Sequence, residues 1–75
     1  MSKHMNIKHE VQRKRKTEFY DLLDEAMLSD KEKSMMEMYY AQRKDVGYIA
    51  DALGYSKAGI MRMHRKVLEK IESLL

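Results

Sequence analysis

The sequence predicts an all-α protein, a small helical bundle of about four helices that closes with a C-terminal helix-turn-helix. Three observations carry that reading. There is no proline, and the three glycines, Gly47, Gly54 and Gly59, all fall in the second half, so nothing divides the chain into the short strands and turns of a sheet protein. Apolar residues recur at intervals of three and four through most of the length, the spacing of one helix face. With 75 residues, 44% of them apolar, the chain has material for one small core and must stabilise itself by helix packing or by association.

Phe19, Leu22, Leu23, Ala26 and Met27 form the first amphipathic stripe, and Ile7 and Val11 extend it backward. The first helix is expected to begin between Ile7 and Thr17 and to end near Leu28. Ser29-Asp30-Lys31-Glu32 reads as a capping box, in which the serine side chain accepts the Glu32 amide while the glutamate side chain returns to the Ser29 amide. A second helix therefore starts there, carries Met35, Met36, Tyr39 and Tyr40 inward or half inward, and ends near Arg43-Lys44-Asp45. Methionine is a flexible filler, so this run reads first as core and rim packing, and second as an adaptable protein-binding surface.

Val46, Ile49, Ala50 and Leu53 then recur at i, i+3, i+4 and i+7 on a third helix, with Ala50 small enough for another helix to cross closely. Gly54 follows the last of them, where a left-handed residue ends a helix at least cost. Ser56 sits where an N-cap belongs. Ile60, Met63, Val67, Leu68, Ile71 and Leu74 continue at helical spacing as the buried side of a last helix, whose other side begins with Lys57, Met61, Arg62, Arg65 and Lys66. Two helices hinged at a glycine, the second with a basic outer face, are the skeleton of a helix-turn-helix. The plainer alternative is a helix with a glycine stop followed by an ordinary helix.

The absence of cysteine removes thiolate metal sites, cysteine nucleophiles and disulfides. His4, His9 and His64 make no metal-ligand spacing with a carboxylate pair, and there is no glycine-rich phosphate loop. The expectation is a protein that is not an enzyme and uses no metal or cofactor, with His64 a partly buried or rim residue of the last helix. No apolar run approaches the ~18 residues of a membrane span and no secretory signal is visible, which predicts no membrane contact and a cytoplasmic location.

The net charge of +3 is mild, but it is unevenly distributed. Residues 1–16 carry six basic side chains against Glu10, residues 17–38 seven acidic against two lysines, and residues 39–75 seven basic against four acidic. A polyanion must therefore avoid the middle and use the ends. Two sequence domains are expected: a basic segment 1–16, either partly disordered or the start of the first helix, and a domain 17–75. His4-Met5 resembles a cloning junction, so nothing is built on the residues before Met5.

The run Leu28-Ser29-Asp30-Lys31-Glu32-Lys33, then Met36, Met38 and Tyr39-Tyr40, then Val46-Gly47-Tyr48-Ile49-Ala50-Asp51-Ala52-Leu53-Gly54-Tyr55-Ser56-Lys57, and finally Ile60, Met63, Val67, Leu68, Lys70 and Ile71 resembles region four of bacterial sigma factors. The resemblance covers residues 28–75 and is most specific between Ile49 and Ile60. The LuxR-type helix-turn-helix domain is similar in its Ser/Thr-x-x-Glu start and Ile-Ala pair, and fits less well at the end. A sigma region four reads a promoter element in the major groove and docks on the RNA polymerase β-subunit flap. By position, the resemblance implies that Lys57, Ala58, Gly59, Arg62 and Arg65 face bases or the adjacent backbone. At 58–59 this chain has Ala-Gly where the family often has an acidic residue followed by a basic one, which leaves fewer hydrogen-bonding groups for base edges. There is no room in 75 residues for the promoter-melting region of a whole sigma factor.

With the helix from Lys57 in the major groove, Arg62 is the first candidate for base contact, since a guanidinium chelates O6 and N7 of guanine. Lys57 and Arg65 share that role or hold phosphates, and Ala58 and Met61 offer apolar contact to thymine methyls. Gly59 costs about 0.5–1 kcal/mol relative to alanine in a helix interior, an expense that close approach to DNA or to the preceding helix would offset. Arg43, Lys44, Tyr48, Ser56 and Lys66 are the expected phosphate contacts. The basic run Arg13-Lys14-Arg15-Lys16 reads equally as a phosphate-reaching segment and as a solvated helix end. The expected partner is double-stranded DNA, met by a homodimer on a two-fold site or beside a larger DNA-bound protein.

The leading expectation is a sequence-specific DNA-binding transcription regulator of the stand-alone kind carried by phages and mobile elements. One alternative is an adaptor whose main partner is RNA polymerase or a sigma subunit, for which the acidic stretch Glu18, Asp21, Asp24 and Glu25 would suit a basic surface. Another is an architectural or recombination accessory protein that bends DNA with weak sequence choice.

Overall fold

The computed structural model describes the backbone of residues 3–74 and, from Ile7 onward, their side chains. Every regular element among the described residues is helical: α1 (Lys3–Arg13), α2 (Lys16–Glu25), α3 (Asp30–Met36), which runs on into a π-helical turn (Glu37–Ala41), α4 (Val46–Leu53) and α5 (Lys57–Glu72). The all-α expectation holds, but the α-helices among the described residues number five rather than about four. What reads as one first helix is two.

The break lies at residues 14–15, where Arg15 adopts an extended conformation with ψ 161° and its amide donates to Glu18 Oε1 at 3.3 Å. Over the eight residues from Val11 to Phe19 a continuous helix would rotate about 80° beyond two full turns. The Ile7–Val11 row and the Phe19–Leu22–Leu23 row would then point in different directions. Breaking the helix lets both rows enter one core, so α1 is a helix of its own and contributes to the same core as the residues after 17. Lys14 and Arg15, which no local signal marks as breakers, are where the chain turns.

α2 ends earlier than expected, at Glu25, and Met27 leaves the stripe to which the sequence assigned it. It takes a left-handed φ of 53° and is 85% exposed, while Leu28 turns back into the core. The Ser29 capping box forms as predicted, with the Glu32 amide donating to Ser29 Oγ at 3.2 Å and the Ser29 amide to Glu32 Oε1 at 2.9 Å. α3 buries Met35 and Met36 completely, and the helix then widens: the Gln42 amide donates to the Glu37 carbonyl at 3.0 Å, five residues back. This π turn brings two adjacent tyrosines against one residue of α5. Tyr39 stacks on the His64 ring at 4.6 Å between centroids, and Tyr40 lies within hydrogen-bond distance of His64 Nε2, at 2.6 Å. Burial, and then the neighbouring Tyr39, push the Tyr40 hydroxyl far above its ordinary pKa.

The segment after the turn also departs from expectation. Asp45 does not end a helix; it starts one, its carboxylate accepting the Tyr48 amide at 2.8 Å as the N-cap of α4. α5 is the central element and packs against α1, α3 and α4. Ile60, Val67 and Ile71 are fully buried, Leu68 and His64 nearly so, and Met63 is half-buried. Leu74, expected in this buried row, is 43% exposed because α5 ends at Glu72. Leu75 lies outside the described residues.

Candidate nucleic-acid interface

The surface singled out by the sequence is built by α4, the turn 54–56 and the first half of α5. α4 turns Ile49 and Ala50 inward, leaving Val46 and Leu53 half-buried at the edge of the core. Gly54 ends it in the left-handed region at φ 75°, where its amide and that of Tyr55 both donate to the Ala50 carbonyl. A Cβ on Gly54 would meet nothing within 4 Å, so the glycine serves the backbone angle alone. Ser56 then caps α5, its Oγ accepting the Gly59 amide at 3.0 Å. That acceptor role leaves the hydroxyl proton available to an outside oxygen.

A Cβ on Gly59 would stand 3.2 Å from Ser56 Oγ and 3.4 Å from Tyr55 Cδ2, so among the described residues the close approach comes from the turn and not from α4.

Of the residues expected to face bases, Lys57, Ala58, Met61, Arg62 and Arg65 are exposed on the outer side of α5, and Gly59 is half-buried beneath the turn. Lys66 is exposed beside them. The side chains of Arg62, Arg65 and Lys66 take part in no ion pair or hydrogen bond among the described residues, whereas Lys33 pairs with Asp24 and Lys70 with Glu32 at 3.1 Å. Two sides of this face differ. On the α4 side, the Lys44 ammonium sits 4.9 Å from the centre of the Tyr48 ring, and a Cβ on Gly47 would lie 3.3 Å from Lys57 Cε. Lys44, Tyr48 and Lys57 therefore gather around the first turn of α4. On the α3 side, Ser56, Gly59, Arg62 and Lys66 line a groove whose opposite wall is the capped start of α3, including Asp30 and Glu32. Arg43 is exposed in the loop and stands apart from both groups, toward the α1–α2 corner.

The sequence reading missed Tyr55 and Lys31. They close the α3-side groove, with the Lys31 ammonium 5.0 Å from the Tyr55 ring centre. Tyr55 was visible as an aromatic residue in the turn, but its pairing across 24 positions of chain has no local signature. Of the two acids in this groove, Glu32 ionises below its ordinary range: burial alone would raise its pKa, and the Ser29 amide and the Lys70 ammonium outweigh it.

Among the described residues there is no group of three or more His, Cys, Asp or Glu side chains that could hold a metal ion, and no helix is long and apolar enough to cross a membrane. Comparison with protein-family models, with curated proteins and with solved structures found no match in any of the three. What the α4–α5 surface can bind is therefore set by its own geometry and charge.

Proposed function

We propose that the chain is a sequence-specific DNA-binding transcription regulator in which α4, the turn 54–56 and α5 act as a helix-turn-helix. About residues 57–66 of α5 enter the major groove. The observation that carries this reading is the outer face of α5, where the side chains of Arg62, Arg65 and Lys66 are exposed and make no ion pair or hydrogen bond among the described residues, on a helix whose other face lies in the core. Cations kept free on a rigid helix are suited to phosphate and guanine, both of which need donors that are not already spent. Arg62 reads a base edge, Lys57 and Arg65 reach bases or phosphates, and Ala58 and Met61 present apolar contact with Gly59 between them. Arg43, Lys44, Tyr48, Ser56 and Lys66 hold the backbone. The resemblance to sigma region four points the same way, and a homodimer or a neighbouring DNA-bound protein such as RNA polymerase supplies the additional specificity.

The test is selection of bound duplexes from a random pool by the purified chain near physiological salt. Enrichment of one short element or of an inverted repeat is the expected result. Binding without any enriched sequence would transfer the function to DNA architecture, and no binding at all would leave protein contact as the role of this face.

A further inference from the structure

The π turn closes on Arg43, and the way it closes is unusual. The Lys44 amide donates back to the Met38 carbonyl at 2.8 Å, and this bond requires Arg43 to adopt φ 54°. The closure spans seven residues, one more than the six-residue turn that ends many helices, and as there glycine suits the left-handed position best, because any side chain disfavours that backbone angle. Gly54 fills the equivalent position at the end of α4. Among the described residues Arg43 is one of two exposed non-glycine residues with positive φ, the other being Met27, and backbone strain at an exposed charged residue directs attention to what its side chain does.

Arg43 lines a groove between the π turn and the α1–α2 corner, together with Lys14, Lys16, Gln12 and Gln42. Neither lysine's ammonium takes part in an ion pair or hydrogen bond among the described residues. One acid, Glu37, shares the groove and acts on the Tyr20 hydroxyl, whose pKa is raised by burial and by this carboxylate. Three cations and two amide side chains face one carboxylate in this groove, with Lys14 also bordering a second groove that holds Glu18, Asp21 and Glu25; a donor-rich set of this kind suits a phosphate oxygen. Next to Arg43 in the chain, Lys44 belongs to the other group, its ammonium over the Tyr48 ring.

We infer that Lys14, Lys16 and Arg43 form a second phosphate-binding groove at the α1–α2 corner, which grips DNA backbone flanking the segment read by α5. The inference rests on the DNA-binding reading above and adds to it a use for the basic start of the chain. The break between α1 and α2 then has a functional consequence as well as a packing one, because it delivers Lys14 and Lys16 to the same side as Arg43.

The experiment compares the salt dependence of duplex binding by the full chain and by two variants, Lys14→Ala/Lys16→Ala and Arg43→Gly. The second relieves the left-handed strain, so lost binding cannot be ascribed to a damaged fold. Each phosphate contact contributes roughly 0.9 to the log–log slope, so the slope should fall by about 1.8 in the double variant and about 0.9 in Arg43→Gly, with the selected sequence unchanged. Slopes equal to wild type, while Lys66→Ala still weakens binding, would overturn the groove and leave the α5 reading standing. If the wild type binds no duplex, the DNA reading fails and the groove is tested alone by adding inorganic tripolyphosphate and following amide shifts at residues 12–16 and 42–44. Shifts abolished in the double variant would keep the phosphate groove, with a free phosphorylated ligand as its occupant; no shifts would overturn it.

Discussion

Glu32 joins two parts of the fold that are far apart in sequence, and its removal should separate them measurably. Its carboxylate accepts the Ser29 amide at 2.9 Å and takes the Lys70 ammonium at 3.1 and 3.2 Å on its two oxygens, so one side chain both caps α3 and ties it to the last turns of α5. Glu32→Gln keeps an acceptor for the cap and loses the charge facing Lys70; for a half-exposed pair the cost is about 0.5 kcal/mol. Glu32→Ala loses both, and with a cap contribution of about 1 kcal/mol the total is about 1.5 kcal/mol. In a domain of this size each kcal/mol moves the melting temperature by roughly 4–8 °C, so circular dichroism melts should resolve wild type, Gln and Ala in that order. The pH dependence has a defined sign. The folded carboxyl ionises below its ordinary value, so its contribution is complete above the unfolded value of about 4.3 and disappears as pH falls through the folded value. Wild type and Glu32→Gln should therefore converge in acid. A gap between them that stays constant down to pH 2, or an alanine variant no less stable than the glutamine one, would refute the reasoning.

Three further outcomes are expected. Tyr40→Phe, which deletes the hydroxyl beside His64 Nε2 in a largely buried site, should lower stability by about 1–2 kcal/mol in a thermal melt; an unchanged melt would show that the pair contributes nothing. Met27→Gly and Gly54→Ala should move the denaturant midpoint in opposite directions by about 1 kcal/mol each, because both positions are left-handed and only Gly54 carries the residue that suits it; shifts of the same sign would contradict the backbone account. Arg62→Ala should cost roughly 1–3 kcal/mol of DNA affinity and relax choice at one base pair, while Lys66→Ala should weaken all duplexes alike and reduce the salt slope by about 1; equal effects of both on every duplex would exchange or cancel those roles.

The elements that could be read in advance share one property. The Ser29–Glu32 box, the Gly54 stop, the Ser56 cap and the row Val46, Ile49, Ala50, Leu53 each depend on residues within seven positions of one another, so their physics is written in the local sequence. The outer face of α5 was legible for the same reason, since burying Ile60, Val67 and Ile71 turns Arg62 and Arg65 to the far side of the helix. Asp45 was misassigned, although aspartate is as good an N-cap as serine, because the preceding helix was expected to run further than the π turn permits.

What tertiary structure decided was where helices stop when no residue orders them to, and which distant side chains meet. Lys14 and Arg15 are competent helix formers, yet the chain breaks there because two apolar rows out of phase by about 80° must reach one core. The π turn exists in a run with no glycine or proline, and it sets Tyr39 and Tyr40 against His64, 24 residues after Tyr40. Arg43 in a left-handed conformation, Lys31 over Tyr55 and Lys70 on Glu32 are further results of that assembly. By itself the sequence determined the helical class, the caps and the basic outer face, because spacing and hydrogen bonding over one or two turns are local. The breaks, the grooves and the pairing of remote cations with rings and carboxylates waited on packing, because only a closed core sets one helix face against another.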